Sequence, residues 1–399
     1  MKKYLFLILL SAFISSCGKS QENKTNQTSD NKAIITGAEQ SELYLDLLKN
    51  KKIALVVNQS SLVKGKHLLD FLIENKIKIV KIFAPEHGFR GNIDRGAHIN
   101  NEIDEKTGVP IISMFGKNKR PTKEQLQDID ILIFDIQDAG ARFFTYISSM
   151  HEVMEACAQN KKPLIILDRP NPLGDYVDGP VMQEKFKSFV GMHKIPIVHG
   201  LTVGELAQMI NGESWLENNN KCELKIIKVK NYNHKMQYIL PVKPSPNLPN
   251  QLSIRLYPSL CFFEATNISI GRGTEFPFQV IGFPDKIFGD SLFIPKDIEG
   301  MQINPVQEGK ICYGIDLRDL IPENQHFTLK YLINFYIKSN LKDNFFSRPK
   351  WFNLLAGNNI LVNQIKNGLS EEEIKKTWEK ELTEYKKIRK KYLLYADFE

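Results

Sequence analysis

The sequence predicts an α/β protein: a Rossmann-like parallel sheet domain followed by a smaller mixed α+β C-terminal domain. Three observations predict it. Short, continuous apolar runs recur from Lys52 onward, separated by stretches with three- and four-residue apolar steps, a pattern of βαβ units rather than hairpins. That regularity ends before Pro241–Pro249, where four prolines fall in nine residues and predict an extended connector or a rigid rim. Polar and ionisable residues stand directly after successive strands, where an open parallel sheet collects its ligands.

The first strand is Ile53–Val57, followed by a helix carrying Leu68, Leu69, Phe71, Leu72 and Ile73. Ile77–Phe83 is the second strand and Ile111–Met114 the third; a helix opening at Pro121 leads to the fourth, Ile131–Phe134. Phe144–Ala158 reads as an amphipathic helix, because Ile147, Met150, Met154 and Cys157 share one face. Leu164–Leu167 is the fifth strand, and Thr202-x-x-Glu205 is a capping box opening a helix through Ile210. From about Leu292 strand and helix mix. Ser370-x-x-Glu373 opens a final charged helix whose buried stripe is Ile374, Trp378, Leu382 and Tyr385.

At the N-terminus, Lys2 and Lys3 precede an apolar run from Tyr4 to Ile14, then Ser15, Ser16 and Cys17. This is the layout of a signal peptide over 1–16, and the run is too short for a permanent bilayer span. A Cys directly after small residues resembles a bacterial lipobox. Cys17 is therefore the expected lipidation site, and 17–33, poor in apolar residues, a flexible tether. The expected chain is exported and membrane-anchored, with a sheet domain over 34–235 and a C-terminal domain over 236–399. The other cysteines are Cys157, Cys222, Cys261 and Cys312; none has zinc-site spacing, and an exported location permits a disulfide among the last three.

Composition excludes several classes. Of 399 residues, 42% are apolar and 25% charged, which is ordinary for a globular chain. The net charge of +7 is spread out, with no basic cluster interleaved with aromatics, so nucleic acid is not an expected partner. No G-x-x-x-x-G-K-[ST], G-x-S-x-G or H-E-x-x-H is present, and no G-x-G-x-x-G follows the first strand. No cofactor is expected.

The strand ends hold the chemistry. Asn58-Gln59-Ser60 follows the first strand; Glu86, His87, Phe89 and Arg90 follow the second. Asp135, Asp138 and Arg142 follow the fourth, with Phe143 and Tyr146 just beyond, and Asp168, Arg169 and Asn171 follow the fifth. Singly, such residues often cap helices or form local ion pairs. Together they describe a carboxylate-rich rim with arginines and aromatics, suited to sugars, and glycoside hydrolysis usually needs two carboxyl groups. Two readings compete. A metal-dependent hydrolase or deacetylase would use His87, Asp135 and His199, and a non-catalytic lipoprotein would bind its saccharide without turnover.

Six blocks occur in order: P-E-H-G-F-R-G at Pro85–Gly91, D-I-Q-D-x-G-A-R-F-x-T-Y-I at Asp135–Ile147, L-D-R-P-N-P-L-G at Leu167–Gly174, H-G-L-T-V-G-E at His199–Glu205, P-S-P-N-L-P at Pro244–Pro249 and F-E-x-T-N-x-S-x-G-R-G-T at Phe263–Thr274. The set resembles the bacterial exo-β-N-acetylmuramidases, a glycoside hydrolase family, from roughly Ile53 to the C-terminus. The resemblance implies release of N-acetylmuramic acid from the non-reducing end of peptidoglycan fragments, without a metal. It implies Glu86 as general acid/base and Glu264 as its partner, with Glu275 a rival for that role. A general acid must hold its proton until the leaving oxygen needs it, which calls for partial burial against neighbours such as Phe89. The same motifs imply substrate contacts from His87, Asp135, Asp138, Tyr146, Asp168, Asn171 and Asn267. Muramic acid carries a lactyl carboxylate, for which Arg90, Arg142 and Arg272 are the candidate partners. Three positions depart from the family pattern: Ala265 and Asp175 where glycine is usual, and Ile270 where an acidic residue is common.

Overall fold

The computed structural model describes residues 32–86, 88–89, 102–116 and 118–399. Its main sheet contains β1 (Lys52–Val57), β2 (Lys78–Ala84), β3 (Glu102–Ile103), β4 (Pro110–Ser113), β5 (Ile131–Asp135), β6 (Leu164–Leu167) and β7 (Leu224–Ile227). The spatial order is β3-β4-β2-β1-β5-β6-β7, parallel throughout except for the β3 edge. The expected Rossmann-like layer is present, and its strands are apolar on both faces for a reason visible in the packing. Ala54, Val56, Leu132, Phe134, Leu164 and Ile166 face one core, whereas Ile53, Leu55, Val57, Ile133, Ile165 and Leu167 face another. A strand covered on both faces has no polar alternation to show.

Helix α1 (Leu68–Glu74) covers the second face through Leu68, Leu69 and Leu72. After the single turn α2 (Lys123–Leu126), helix α3 (Tyr146–Asn160) and helix α4 (Val203–Gly212) cover the first. The Thr202–Glu205 capping box forms as its spacing predicts. The chain goes outward from β1 to β2 and β4, then returns to the other side of β1 at β5. The order therefore reverses between β1 and β5, whose connections leave in opposite directions, the place where an open parallel sheet collects its ligands.

The expected smaller domain is also present. Helix α5 (Gln251–Leu260) runs into a 3-10 segment, Cys261–Ala265. An antiparallel sheet follows, with order β8 (Val280–Phe283), β10 (Cys312–Asp316), β9 (Ser291–Phe293). Helices α6 (Lys330–Lys338), α7 (Pro349–Ala356) and α8 (Leu361–Lys366) pack beside it. Phe262, Phe263, Phe278, Phe288, Phe335 and Phe352 join the core on the α3 side of the main sheet, and 34–399 form one compact unit.

Two details differ from expectation. The single C-terminal helix is two, α9 (Glu371–Lys376) and α10 (Glu379–Lys390). The Thr377 hydroxyl donates to the Ile374 carbonyl at 2.7 Å, and Trp378 leaves helical dihedrals (φ −113°, ψ 2°) as its ring is buried. Strand β7 carries Lys225 within Leu224–Ile227, too little apolar run to be recognised from sequence. The four described cysteines are buried and none is in a disulfide, so the permitted bridge does not form. Cys17 and the expected signal peptide lie outside the described residues.

Candidate active site

Glu86 sits in the turn after β2, beyond Ala84 and Pro85. Its Oε2 accepts a 3.0 Å hydrogen bond from the Thr145 hydroxyl, at the entrance of α3. The Tyr146 hydroxyl lies 3.4 Å from the Glu86 carbonyl and 3.2 Å from that of Pro244. One tyrosine thus ties the general-acid candidate to the P-S-P-N-L-P segment. Gln59, after β1, steadies the same segment by donating to the carbonyls of Lys243 and Pro244 at 3.3 Å.

Glu86 opens into a cavity of about 290 Å³ whose far wall comes from the second domain: Glu264, Arg272, Phe278 and Trp351. Phe143, Phe144, Tyr146 and Tyr257 supply an aromatic side, with edge-to-face contacts from Phe143 and Phe144 to Tyr257. The expected aromatic neighbour, Phe89, is not part of it. Phe89 packs edge-on to His67 at 4.7 Å in the opposite core.

Glu264 is held by Arg272, whose Nη2 donates to Oε1 at 2.5 Å while Nη1 lies 3.5 Å from Gln302 Oε1. The guanidinium also lies over Phe278, 4.9 Å from its ring centre. Arg272 comes from the turn Gly271–Gly273, whose glycines take φ of +75° and +80°. Glu264, Arg272 and Trp351 also border a second chamber of about 490 Å³, lined by Ile270, Gln302 and Arg348. The Glu264–Arg272 pair is the partition between the two. Ile270, where the family is commonly acidic, faces the second chamber.

Several expected substrate contacts prove to be internal. Arg142 is fully buried and donates to the carbonyls of Pro180 (2.8 Å), Ile195 (2.9 Å) and Leu355 (2.8 Å). It joins the two domains rather than binding a carboxylate. Asp135 receives Arg169 Nε at 2.6 Å and Nη2 at 2.9 Å. Asp168 accepts from Thr202 Oγ1 (2.7 Å), Tyr395 OH (2.6 Å) and the Gly204 N–H (2.8 Å). Asn171 bridges Leu173 N and the Leu201 carbonyl, both at 2.8 Å. Gly140 (φ +82°) leaves room for it, since a Cβ there would fall 2.1 Å from Asn171 Oδ1. Asp138 accepts from the Gly140 N–H at 2.7 Å, and burial pushes its carboxyl up to about 7. A strand-end position fixes where a residue is, not which way it points, and these five point inward. Asp175, the other departure, forms a two-bond pair with Arg255 at 2.7 Å.

Glu275 is exposed and belongs to a separate depression with Gly273, Thr274 and Ile294. It does not line the cavity that Glu86 and Glu264 share. Asn267 is exposed as well and lies in an outer groove with Arg348 and Lys310. His87 and Arg90 lie outside the described residues. The metal reading loses two of its ligands: both Asp135 oxygens hold Arg169, and His199 Nδ1 accepts the Leu201 N–H at 3.2 Å. Among the described residues no group of three His, Cys, Asp or Glu side chains is placed to hold a metal.

Sequence reasoning missed Lys119, Phe189, Asn247 and Trp351, all of which line the cavity. Asn247 had a signal, lying within the quoted P-S-P-N-L-P block. Lys119 and Phe189 come from loops and Trp351 from helix α7, none within a motif, and only tertiary structure gathers them.

Two carboxylates on one aromatic-walled cavity of about 290 Å³ are an arrangement that a carbohydrate-active hydrolase requires. Comparison with known proteins agrees. The profile for "Exo-beta-N-acetylmuramidase NamZ, N-terminal" matches residues 53–252 and that for the C-terminal part matches 255–395. The chain therefore belongs to the exo-β-N-acetylmuramidase family and is a glycosidase. It is 37% identical to the peptidoglycan β-N-acetylmuramidase NamZ of Bacillus subtilis, over 99% of this chain and all of that one. Two crystal structures from Bacteroides fragilis are similar, both of DUF1343 family proteins. BF0379 has a TM-score of 0.85 at 47% identity, covering 92% of this chain and 100% of that one. BF0371 has a TM-score of 0.79 at 30% identity, covering 91% and 99%.

Proposed function

We propose that the protein releases N-acetylmuramic acid from the non-reducing end of peptidoglycan fragments, with Glu86 donating a proton to the glycosidic oxygen. The observation that carries this reading is the placement of Glu86 and Glu264 on one cavity from two domains. Glu86 reaches it from a strand end, with the Thr145 hydroxyl orienting one oxygen and leaving the other for the substrate. Glu264, ion-paired to Arg272, suits the second task. It either orients the 2-acetamido group as an internal nucleophile or activates water. The Phe143–Tyr257 side offers ring faces to the C–H surface of the sugar.

Incubation with a disaccharide capped by N-acetylmuramic acid, followed by mass analysis, tests the reaction. Release of the free capping sugar is the expected result; an intact disaccharide refutes the reaction. Glu86→Gln is expected to lower turnover by about 10²–10⁴-fold, the usual worth of a general acid, with an unchanged melting temperature. Retention of activity removes Glu86 from the mechanism.

We further propose that the protein is exported and anchored through Cys17. The positive n-region, short apolar run and following Cys support this. Radiolabelled palmitate should enter the protein in cells and should not enter Cys17→Ala.

A further inference from the structure

The cavity carries four charged side chains among the described residues: Glu86, Glu264, Arg272 and Lys119. The cation of Arg272 is already committed to Glu264. Arg142, another of the three arginines expected to hold a substrate carboxylate, is enclosed between the domains. Lys119 differs from both. Its ammonium lies 4.1 Å from the ring centre of Phe189, a second cavity residue, and no carboxylate of a described residue stands within ion-pair distance of it.

The local chain explains the placement. Lys119 lies between β4 and α2, in a segment tied down at both ends. Met114 N donates to the Ala84 carbonyl at 2.8 Å, and Thr122 closes a capping box with Gln125. Arg120 turns the opposite way, donating to Glu152 at 2.6 Å and Glu217 at 2.8 Å. Adjacent cations are thus divided, one for the protein and one for the cavity. A half-buried ammonium beside an aromatic face, with no counter-ion among the described residues, is suited to receive an anion.

We propose that Lys119 is the residue that selects a carboxylate-bearing sugar, pairing its ammonium with the lactyl carboxylate of the muramyl unit seated between Glu86 and Glu264. The assignment rests on the proposed function for the identity of the sugar. N-acetylglucosamine has the same ring and acetamido group but no carboxylate, so the lysine has nothing to pair with in it.

Calorimetric titration of the full protein with free N-acetylmuramic acid and with N-acetylglucosamine tests this without requiring turnover. The unaltered protein should bind the muramic sugar more tightly. Lys119→Met should weaken that binding roughly tenfold to a hundredfold, the usual range for a charge-assisted contact, and leave the glucosamine affinity and the melting temperature unchanged. Lys119→Arg should restore most of the preference. Equal binding of both sugars by the unaltered protein, or an undiminished preference in Lys119→Met, overturns the assignment and moves selection elsewhere, for example to Arg90. Failure to cleave the capped disaccharide, with the lysine-dependent preference intact, overturns the proposed reaction alone.

Discussion

Arg272 and Glu264 form a partition. Their 2.5 Å contact lies between the cavity that Glu86 lines and the second chamber, and the side chains are only 15% and 10% exposed. Such a pair fixes the carboxylate's orientation more than it adds to stability, because both ions lose water to make it.

Arg272→Met should therefore remove the constraint on Glu264 and leave its charge without the main partner. We expect a loss in kcat/KM of at least tenfold and a loss of stability of about 1–3 kcal/mol, the cost of an unpaired, partly desolvated group. Steady-state kinetics and urea denaturation measure the two. Full activity in this variant would show that Glu264 needs no fixing.

Arg142→Met should behave in the opposite manner. It leaves the carbonyls of Pro180, Ile195 and Leu355 without their donor, so stability should fall by about 2–4 kcal/mol. Folded protein should keep its KM, since the guanidinium does not line the cavity. A raised KM with an unchanged urea midpoint would return Arg142 to the substrate.

Asp138 gives a prediction in pH. Burial raises its carboxyl to about 7 in the folded chain, against roughly 3.9 when unfolded. Between those values the folded state holds a proton that the unfolded state has lost. Its stabilising contribution is complete below about pH 4 and is lost as pH rises towards 7, at no more than about 1.4 kcal/mol per pH unit. Asp138→Asn carries no such proton, so the stability difference between variant and unaltered protein should shift in the variant's favour from pH 4 to 8. Urea midpoints across that range measure it; parallel curves would disprove the raised carboxyl.

Chelation separates the two hydrolytic readings. With Asp135 holding Arg169 and His199 engaged by Leu201, cleavage of the capped disaccharide should survive prolonged EDTA treatment. A loss restored by added divalent metal would favour the metal-dependent alternative.

The fold was legible because strands buried on both faces leave continuous apolar runs, as Ile53–Val57 and Leu164–Leu167 do. The capping boxes at Thr202 and Ser370 were legible because their partners sit three residues away. The site was legible where motif and direction coincide, at Glu86, Glu264, Tyr146 and Arg272. It was not legible at Asp135, Asp168, Asn171 and Arg142, because sequence does not reveal whether a polar side chain after a strand turns towards ligand or scaffold. Nor was Lys119 visible, since its meaning depends on Phe189 seventy positions later and on the direction taken by Arg120.

Residues 389–397 return to the segments that follow β6. Tyr395 donates to Asp168 after β6, Leu394 N to Glu205 at 2.8 Å, and Arg389 clasps both the Gly200 carbonyl and Asp397. A protein secured this way behaves like a belt whose buckle is threaded last: translation must deliver these residues before the strand ends beneath them acquire their partners. A ribosome stalled ahead of Arg389 would release a half-fastened sheet, which proteases should remove quickly.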